Sequence, residues 1–562
     1  MFKFSEIEYI RPDLEKANAE FEKAMLGISA AKTYEAARQS YIDFERVAFD
    51  INTMYTVAYI RNTMDTRDKF YVEEMNFFYE VNPKIELVQK EAGKLVLNSP
   101  FRAEFEKEFG ADFIKNTEAQ IRLADESVVD EKIEEAKLGQ EYSALVAGCL
   151  VNFRGEECNF YGLLKHMLST DRTVRKLAFE AWANLYESVS AKLDEIYDRL
   201  IFLRKRMAEK LGFESYVEMA YLANGHFYYG AKDVAEFRRQ VVNTVVPVAS
   251  ALYERQRVRL CVDKLHMYDE QIVFPDGNAS PAGGKDFLLN AAKELYSALS
   301  PETAEFFEFM TEHELFDLET RPGKHMGGYC IFIQNYGAPF IFSNFNGSSA
   351  DVDVLTHEAG HAFQAYTSAK HVPLGSLIWS TSDVSEIHSM SMELFAYPYM
   401  KKFFGDKAEK YRYAHLSETV KTIPYLCLVD HFQHEVFAHN YTAAERCACW
   451  RRLEKIYMPW RDYDGNAFLE EGGYWMQKQH IFLVPFYYVD YALAQMGAFE
   501  YYNRSHENRT EAWNDYVKLC RAGGSKSYFE LLNLGGLSNP FEEGTVKRAV
   551  MPIAEELLNK QH

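Results

Sequence analysis

The sequence predicts a mostly helical protein with one small β-sheet set beside a helix that carries an HExxH pattern. Three observations carry that expectation. Long stretches from Pro12 to about Leu200, and again from Asp383 to the C-terminus, place apolar residues three and four apart with few breakers. Two β-branched and aromatic runs bounded by glycines, GGYCIFIQNYG (327–337) and PFIFSNFNG (339–347), read as strands. Directly after them, DVDVLTHEAGHAFQAYTSA (351–369) carries His357, Glu358 and His361 as HExxH within an apolar segment.

In chain order, the first helical block includes DESVVDEKIEEAKLGQEY, a charged segment that reads as a solvated helix face. A second block runs from Arg172 to about Arg259, where Gly212 ends one helix and Ser215 starts the next. His226 sits among aromatics there and reads as a structural histidine. The segment FPDGNASPAGG, from Phe274 to Gly284, is the clear loop. The two strands and the HExxH helix follow. Further loops are expected at PWRDYDGN and LCRAGGSKS. The expected division is an N-terminal helical domain over 1–200 and a second domain over 201–562 that carries the HExxH helix.

Composition narrows the function classes. At 562 residues, 48% of them hydrophobic and 15% aromatic, the chain buries a large core. A net charge of −21, from 62 basic and 83 acidic residues, argues against nucleic acid or an anionic membrane as partner. The N-terminal segment lacks the apolar stretch of a signal peptide. The longest apolar run, Ile481 to Val489, has nine residues and contains a proline. Eight cysteines without framework spacing read as reduced, mostly buried thiols, and a cytoplasmic location is expected.

On a helix, histidines four apart stack about 6 Å apart along the axis and can hold one zinc ion. The intervening Glu358 is then placed to take a proton from an attacking water. Gly360, which costs about 1 kcal/mol in a helix, points to a closely approaching backbone. A third ligand is expected from TSDVSEIHSMSMELFAY, which offers Asp383, Glu386, His388 and Glu393. Glu386 and Glu393, seven apart, share a face, and spacing does not choose between ligand and orienting group. The xxGxxH extension that would add a third histidine is absent. A second cluster, His431, His434, Glu435 and His439, spaces the HE-bearing histidine and the next five apart, off a common face, and reads as structural. The segment MQKQHIFLVPFYYVDYALAQ brings His480, Tyr487, Tyr488 and Tyr491 close in sequence; tyrosine hydroxyls and an imidazole N–H suit an oxyanion, and Tyr488 and Tyr491 share a helical face. No GxSxG elbow or phosphate-binding loop occurs.

Taken together, RPGKHMGGYC, PFIFSNFNGSSADVDVLTHEAGHAFQAY, SDVSEIHSMSMELF, MPWRDYDGN, GGYWMQKQHIFLVPFYYVDYALAQ and AGGSKSYFELL resemble the thimet oligopeptidase and oligoendopeptidase F family of zinc peptidases. The likeness is to its oligoendopeptidase F and Pz-peptidase branch. It is strong over roughly Thr320 to Leu532, with weaker echoes at YIRPDLE and AEKLGFESY. The resemblance implies a zincin-type catalytic core in two helical halves that enclose a channel. It implies one zinc ion per chain on His357, His361 and Glu386, with Glu393 close behind and Glu358 as general base. It further implies that His480 with Tyr488 or Tyr491 faces the scissile carbonyl, with Tyr487 in reserve. The strand through Gly327, Gly328 and Tyr329 is implied to pair with bound peptide. The expected activity is internal cleavage of oligopeptides. A channel-enclosed zinc carboxypeptidase and a non-enzymatic peptide binder with a structural zinc are the alternatives.

Overall fold

The computed structural model describes residues 2–560. Three long helices open the chain: α1 (Leu14–Ala30), α2 (Tyr34–Met64) and α3 (Lys69–Leu97). Each starts on a side-chain cap, with Asp13, Thr33 and Asp68 accepting from the amides of Lys16, Ala36 and Phe70. Such caps satisfy backbone donors that the first helical turn leaves open. Phe21, Phe44, Met75 and Phe78 are buried where these helices pack together.

The continuous helix expected up to Leu200 is interrupted. Two three-residue strands, β1 (Val151–Phe153) and β2 (Glu156–Cys158), form an antiparallel hairpin. Its turn is Arg154-Gly155, both with positive φ, at 55° and 90°. That conformation matches the twist of a two-residue hairpin. Strands this short leave no alternation for a sequence window to detect. The helix α4 (Phe160–His166) follows, then α5 (Arg172–Lys210) and α6 (Ala231–Arg259). Gly212 lies just beyond α5 at φ 74°, and the Ser215 side chain caps the next helix from the Glu218 amide, as the sequence indicates.

A three-stranded sheet follows in the order β3-β5-β4, formed by β3 (Phe316–Glu319), β4 (Tyr329–Ile333) and β5 (Ala338–Phe345). The sequence indicates β4 and β5; β3, four residues long, escapes it. Central β5 runs parallel to β3 and antiparallel to β4, so one side of β4 is an open edge.

The HExxH segment forms α7 (Ala350–Ser368). Leu355, Ala359 and Ala362 on it are fully buried. Its neighbour α8 (Ser382–Phe395) crosses where α7 has no side chain. A Cβ at Gly360 would sit 2.6 Å from Ser389 Cα and 2.8 Å from the His388 carbonyl oxygen. The helix α9 (Ala408–Ala438) and the helical stretch α10 (Tyr488–Ala522), which kinks at Asn508, complete the surround, α10 packing along α8. The Tyr516 hydroxyl of α10 donates to the His388 carbonyl at 3.0 Å. Among the described residues no helix is long and apolar enough to cross a membrane.

Gly360→Ala is therefore expected to destabilise the protein although alanine favours helix. Overpacking against backbone costs about 1–3 kcal/mol, which exceeds the roughly 1 kcal/mol propensity gain. A lowered thermal midpoint checks this; an unchanged or raised midpoint contradicts the close crossing.

Candidate active site

The helix α7 projects His357 and His361 one turn apart, their ring centroids separated by 5.0 Å. From α8, Glu386 reaches across: its Oε2 lies 3.2 Å from His357 Nε2 and 3.3 Å from His361 Nε2. Of the four donors that the α8 segment offers, only Glu386 joins the two histidines in one metal-sized cluster. Asp383 instead accepts from the Tyr229 hydroxyl at 2.7 Å. His388 is fully buried in the core, its pKa pulled down to about 3, chiefly by burial. Glu393 stands behind His357, its Oε1 2.6 Å from His357 Nδ1.

Those contacts define orientation. With Nδ1 held by Glu393, His357 turns Nε2 toward Glu386, the arrangement by which a carboxylate fixes a metal-ligating imidazole. Glu386 is fixed too. Ser389 Oγ donates to its Oε2 at 2.9 Å, and the Tyr487 hydroxyl donates to its Oε1 at 2.5 Å. Behind Glu393, His415 Nε2 lies 2.9 Å from Glu393 Oε2, and the Tyr397 hydroxyl pairs with His415 Nδ1 at 2.6 Å. The sequence gives no signal for His415: it stands alone in KYRYAHLSETV, with no motif around it.

The electrostatics call for a cation. Burial disfavours the imidazolium form of His357, yet its bonds to Glu386 and Glu393 outweigh that and hold its pKa well above the usual range. Burial likewise opposes ionisation of Glu386, and the two imidazoles reverse the balance, leaving its pKa well below normal. A field that stabilises positive charge on imidazole equally suits a divalent ion. Glu358 lies between the histidines in sequence and is itself buried, with its pKa raised by burial. Its Oε2 has no hydrogen-bond partner. An unpaired buried carboxylate oxygen is costly and marks a place for a water or substrate proton.

Across from these residues, His480 packs against Tyr488 at 4.8 Å, Tyr487 at 6.1 Å and Tyr491 at 6.2 Å between ring centroids. Burial, helped by the Lys478 cation, pulls the His480 pKa down to about 3, so the ring is neutral near pH 7. Its Nδ1 is buried without a partner. Tyr488 opens α10, and Tyr491 lies one turn on, with its phenol pKa raised by burial and by the charges of Glu386 and Glu358 among others.

The sheet supplies the last side. Gly328 lies against Glu358: a Cβ there would be 3.7 Å from Glu358 Oε1. Gly327 holds φ 94°, and its carbonyl accepts from the Asn344 side-chain amide at 2.8 Å. The Tyr329 ring stacks on Phe342 at 4.7 Å and its hydroxyl pairs with Thr63 of α2 at 2.6 Å, so this side chain ties the sheet to the N-terminal helices. The next residue, Cys330, is half-buried, and its thiol pKa is raised by desolvation and by the charge of Glu358. Strand alternation separates the two: Tyr329 and Cys330 face opposite sides of β4. The second histidine cluster lies elsewhere. His434 pairs with the Tyr221 hydroxyl at 3.0 Å and His431 with that of Tyr457 at 3.1 Å.

A largely helical shell around an HExxH helix, with a glutamate from the next helix completing the donor set, defines a metallopeptidase. The sequence profile described as Peptidase family M3 matches residues 165–278 and 293–553, and that described as Peptidase M3 N-terminal domain matches residues 4–124. The chain belongs to peptidase family M3. The structure of "PZ PEPTIDASE A with inhibitor 2" is similar at 45% identity and TM-score 0.97, covering 100% of both chains. An oligoendopeptidase F homolog from Borreliella burgdorferi is 26% identical over 308 residues, 53% of this chain and 51% of that protein. The match thus spans about half the length of that relative. Oligopeptidase PepF from Bacillus subtilis is 21% identical over 572 residues, covering 95% of this chain and 81% of that protein.

Replacing Glu393 by alanine should lower metal affinity about 10–100-fold, the usual cost of losing a carboxylate behind a histidine ligand. His415→Ala should act in the same direction, and less. Competition against a chromophoric chelator checks both; unchanged affinity in Glu393→Ala contradicts the orienting role.

Proposed function

We propose that the chain is a zinc-dependent endopeptidase that hydrolyses internal bonds of oligopeptides, with one zinc ion held by His357, His361 and Glu386. The observation that carries this reading is the convergence of three donor atoms beside an unpaired, buried Glu358 carboxylate. Ligands about 2.0–2.2 Å from a tetrahedral zinc lie about 3.3–3.5 Å from one another. The nitrogen-to-oxygen separations of 3.2 and 3.3 Å lie at the short end of that range, to about 0.1 Å. Two imidazoles and one carboxylate form a donor set that zinc accepts while keeping a position open. When bound, zinc supplies Lewis-acid polarisation of the scissile carbonyl and acidifies a water.

The chain's own residues do the rest. Glu358 takes a proton from the attacking water and returns it to the leaving amine. Burial, which raises its pKa, suits it to carry that proton between the two events. Tyr487 is committed to Glu386 and acts by fixing that side chain. Tyr488 and Tyr491, with neutral His480, are then the donors for the oxyanion. Donors set in a buried site need no reorganisation as charge develops. The open edge of β4 offers main-chain groups to an extended peptide, which adds to the sheet as a further strand.

Restricted access favours short, unfolded substrates: the His357 and His361 side chains are only 19% and 13% exposed. The relatives' descriptions, oligoendopeptidase F and oligopeptidase, agree with that class. All eight cysteines are free, which fits a reducing cytoplasm.

Glu358→Gln should keep the zinc and lose nearly all turnover, whereas Tyr488→Phe or Tyr491→Phe should cost on the order of a hundredfold in kcat. Chelator treatment should abolish cleavage and zinc should restore it. A quenched-fluorescent oligopeptide blocked at both ends reads these outcomes and separates endopeptidase from exopeptidase action. Full activity in Glu358→Gln, or failure to cut a doubly blocked peptide, overturns the reading.

A further inference from the structure

A second cluster of metal-ligating side chains lies on the hairpin that the sequence does not reveal. Its register pairs Val151 with Cys158 and Phe153 with Glu156. Glu156 and Cys158, two apart on β2, therefore share one face of the hairpin. The chain turns at once into α4, whose last turn brings back His166. The carboxylate, thiol and imidazole offer ligand atoms that all lie within 4.8 Å of one another.

Three features suit this cluster to a cation. The His166 Nε2 to Glu156 Oε2 separation is 3.4 Å. That is longer than a charge-assisted hydrogen bond, about 2.7–2.9 Å, and equals the roughly 3.3–3.5 Å expected of two ligands on one tetrahedral ion. Cys158 is buried at 4% exposure, and Gly162 of α4 leaves it room, since a Cβ there would lie 3.3 Å from the sulfur. The imidazole is braced from behind by the Phe153 ring at a centroid distance of 4.9 Å. Glu156, by contrast, is exposed, which leaves the outer side of the cluster open to a water as fourth ligand.

We propose that Cys158, His166 and Glu156 form a second metal site, for zinc or a similar borderline-soft divalent ion, that pins the β1–β2 hairpin to α4. Thiolate, imidazole and carboxylate together are a donor set that zinc accepts and that hard cations such as magnesium do not favour. On binding, the Cys158 thiol gives up its proton to solvent as the metal–sulfur bond forms. The site is structural in kind and independent of the catalytic centre.

The chemistry of the two sites permits a clean test. The catalytic donors contain no sulfur, so of the two donor sets the hairpin one alone supplies a thiolate, and a thiolate-to-cobalt charge-transfer band in the near ultraviolet that depends on Cys158 marks it. Full-length protein, stripped with chelator and loaded with cobalt, should bind two ions per chain and show that band. Cys158→Ser should lose the band and one of the two ions while still cleaving the reporter peptide; His166→Gln should weaken the same site. Circular dichroism of both variants confirms that the fold persists. One ion per chain with no thiolate band in the unaltered protein overturns the proposal, as does a band that survives Cys158→Ser.

Discussion

The structure depends on keeping several carboxylates buried around two imidazoles. Glu358, Glu386 and Glu393 come from two adjacent helices, and like charges at such range repel strongly when water is excluded. The imidazoles meet part of that demand, and a divalent cation would meet the rest. Bringing the donors within reach requires α7 and α8 to cross backbone against backbone, which the missing side chain at Gly360 allows. The clamp of α10 on α8 through Tyr516, and the chain of polar groups from His357 through Glu393 to His415 and Tyr397, keep the crossing from relaxing.

Much of this is legible in the sequence because helices announce themselves by period. The HExxH spacing carries a three-dimensional statement, two side chains on one helical face, and the strand-like runs before it have glycine borders. What spacing leaves open is which acid of α8 does what. Glu386 and Glu393 share a face, so the distinction arises from how far α8 slides along α7, a tertiary property. The hairpin at Val151 and the strand at Phe316 escape for a different reason: three or four residues are too few to show alternation. His415 is silent because a lone histidine on a long, largely buried helix has no local signature, and only folding brings it to Glu393.

The tyrosines show how neighbours in sequence divide labour. Tyr487 precedes α10 and turns its hydroxyl to Glu386, while Tyr488 and Tyr491 begin the helix and gather at His480. On the opposite wall, β4 separates its own neighbours in the same way. Tyr329 reaches Thr63 of the N-terminal helices, and Cys330 and the backbone at Gly328 lie toward Glu358. One strand thus couples the first helices of the chain to the site formed by its later half.

Anomalous diffraction from crystals of the metal-loaded protein at the zinc absorption edge tests the central assignment most directly. A zinc peak about 2.0–2.2 Å from His357 Nε2, His361 Nε2 and Glu386 Oε2 is the predicted result. A peak that engages Glu393 in place of Glu386, or no peak between the two helices, would contradict it.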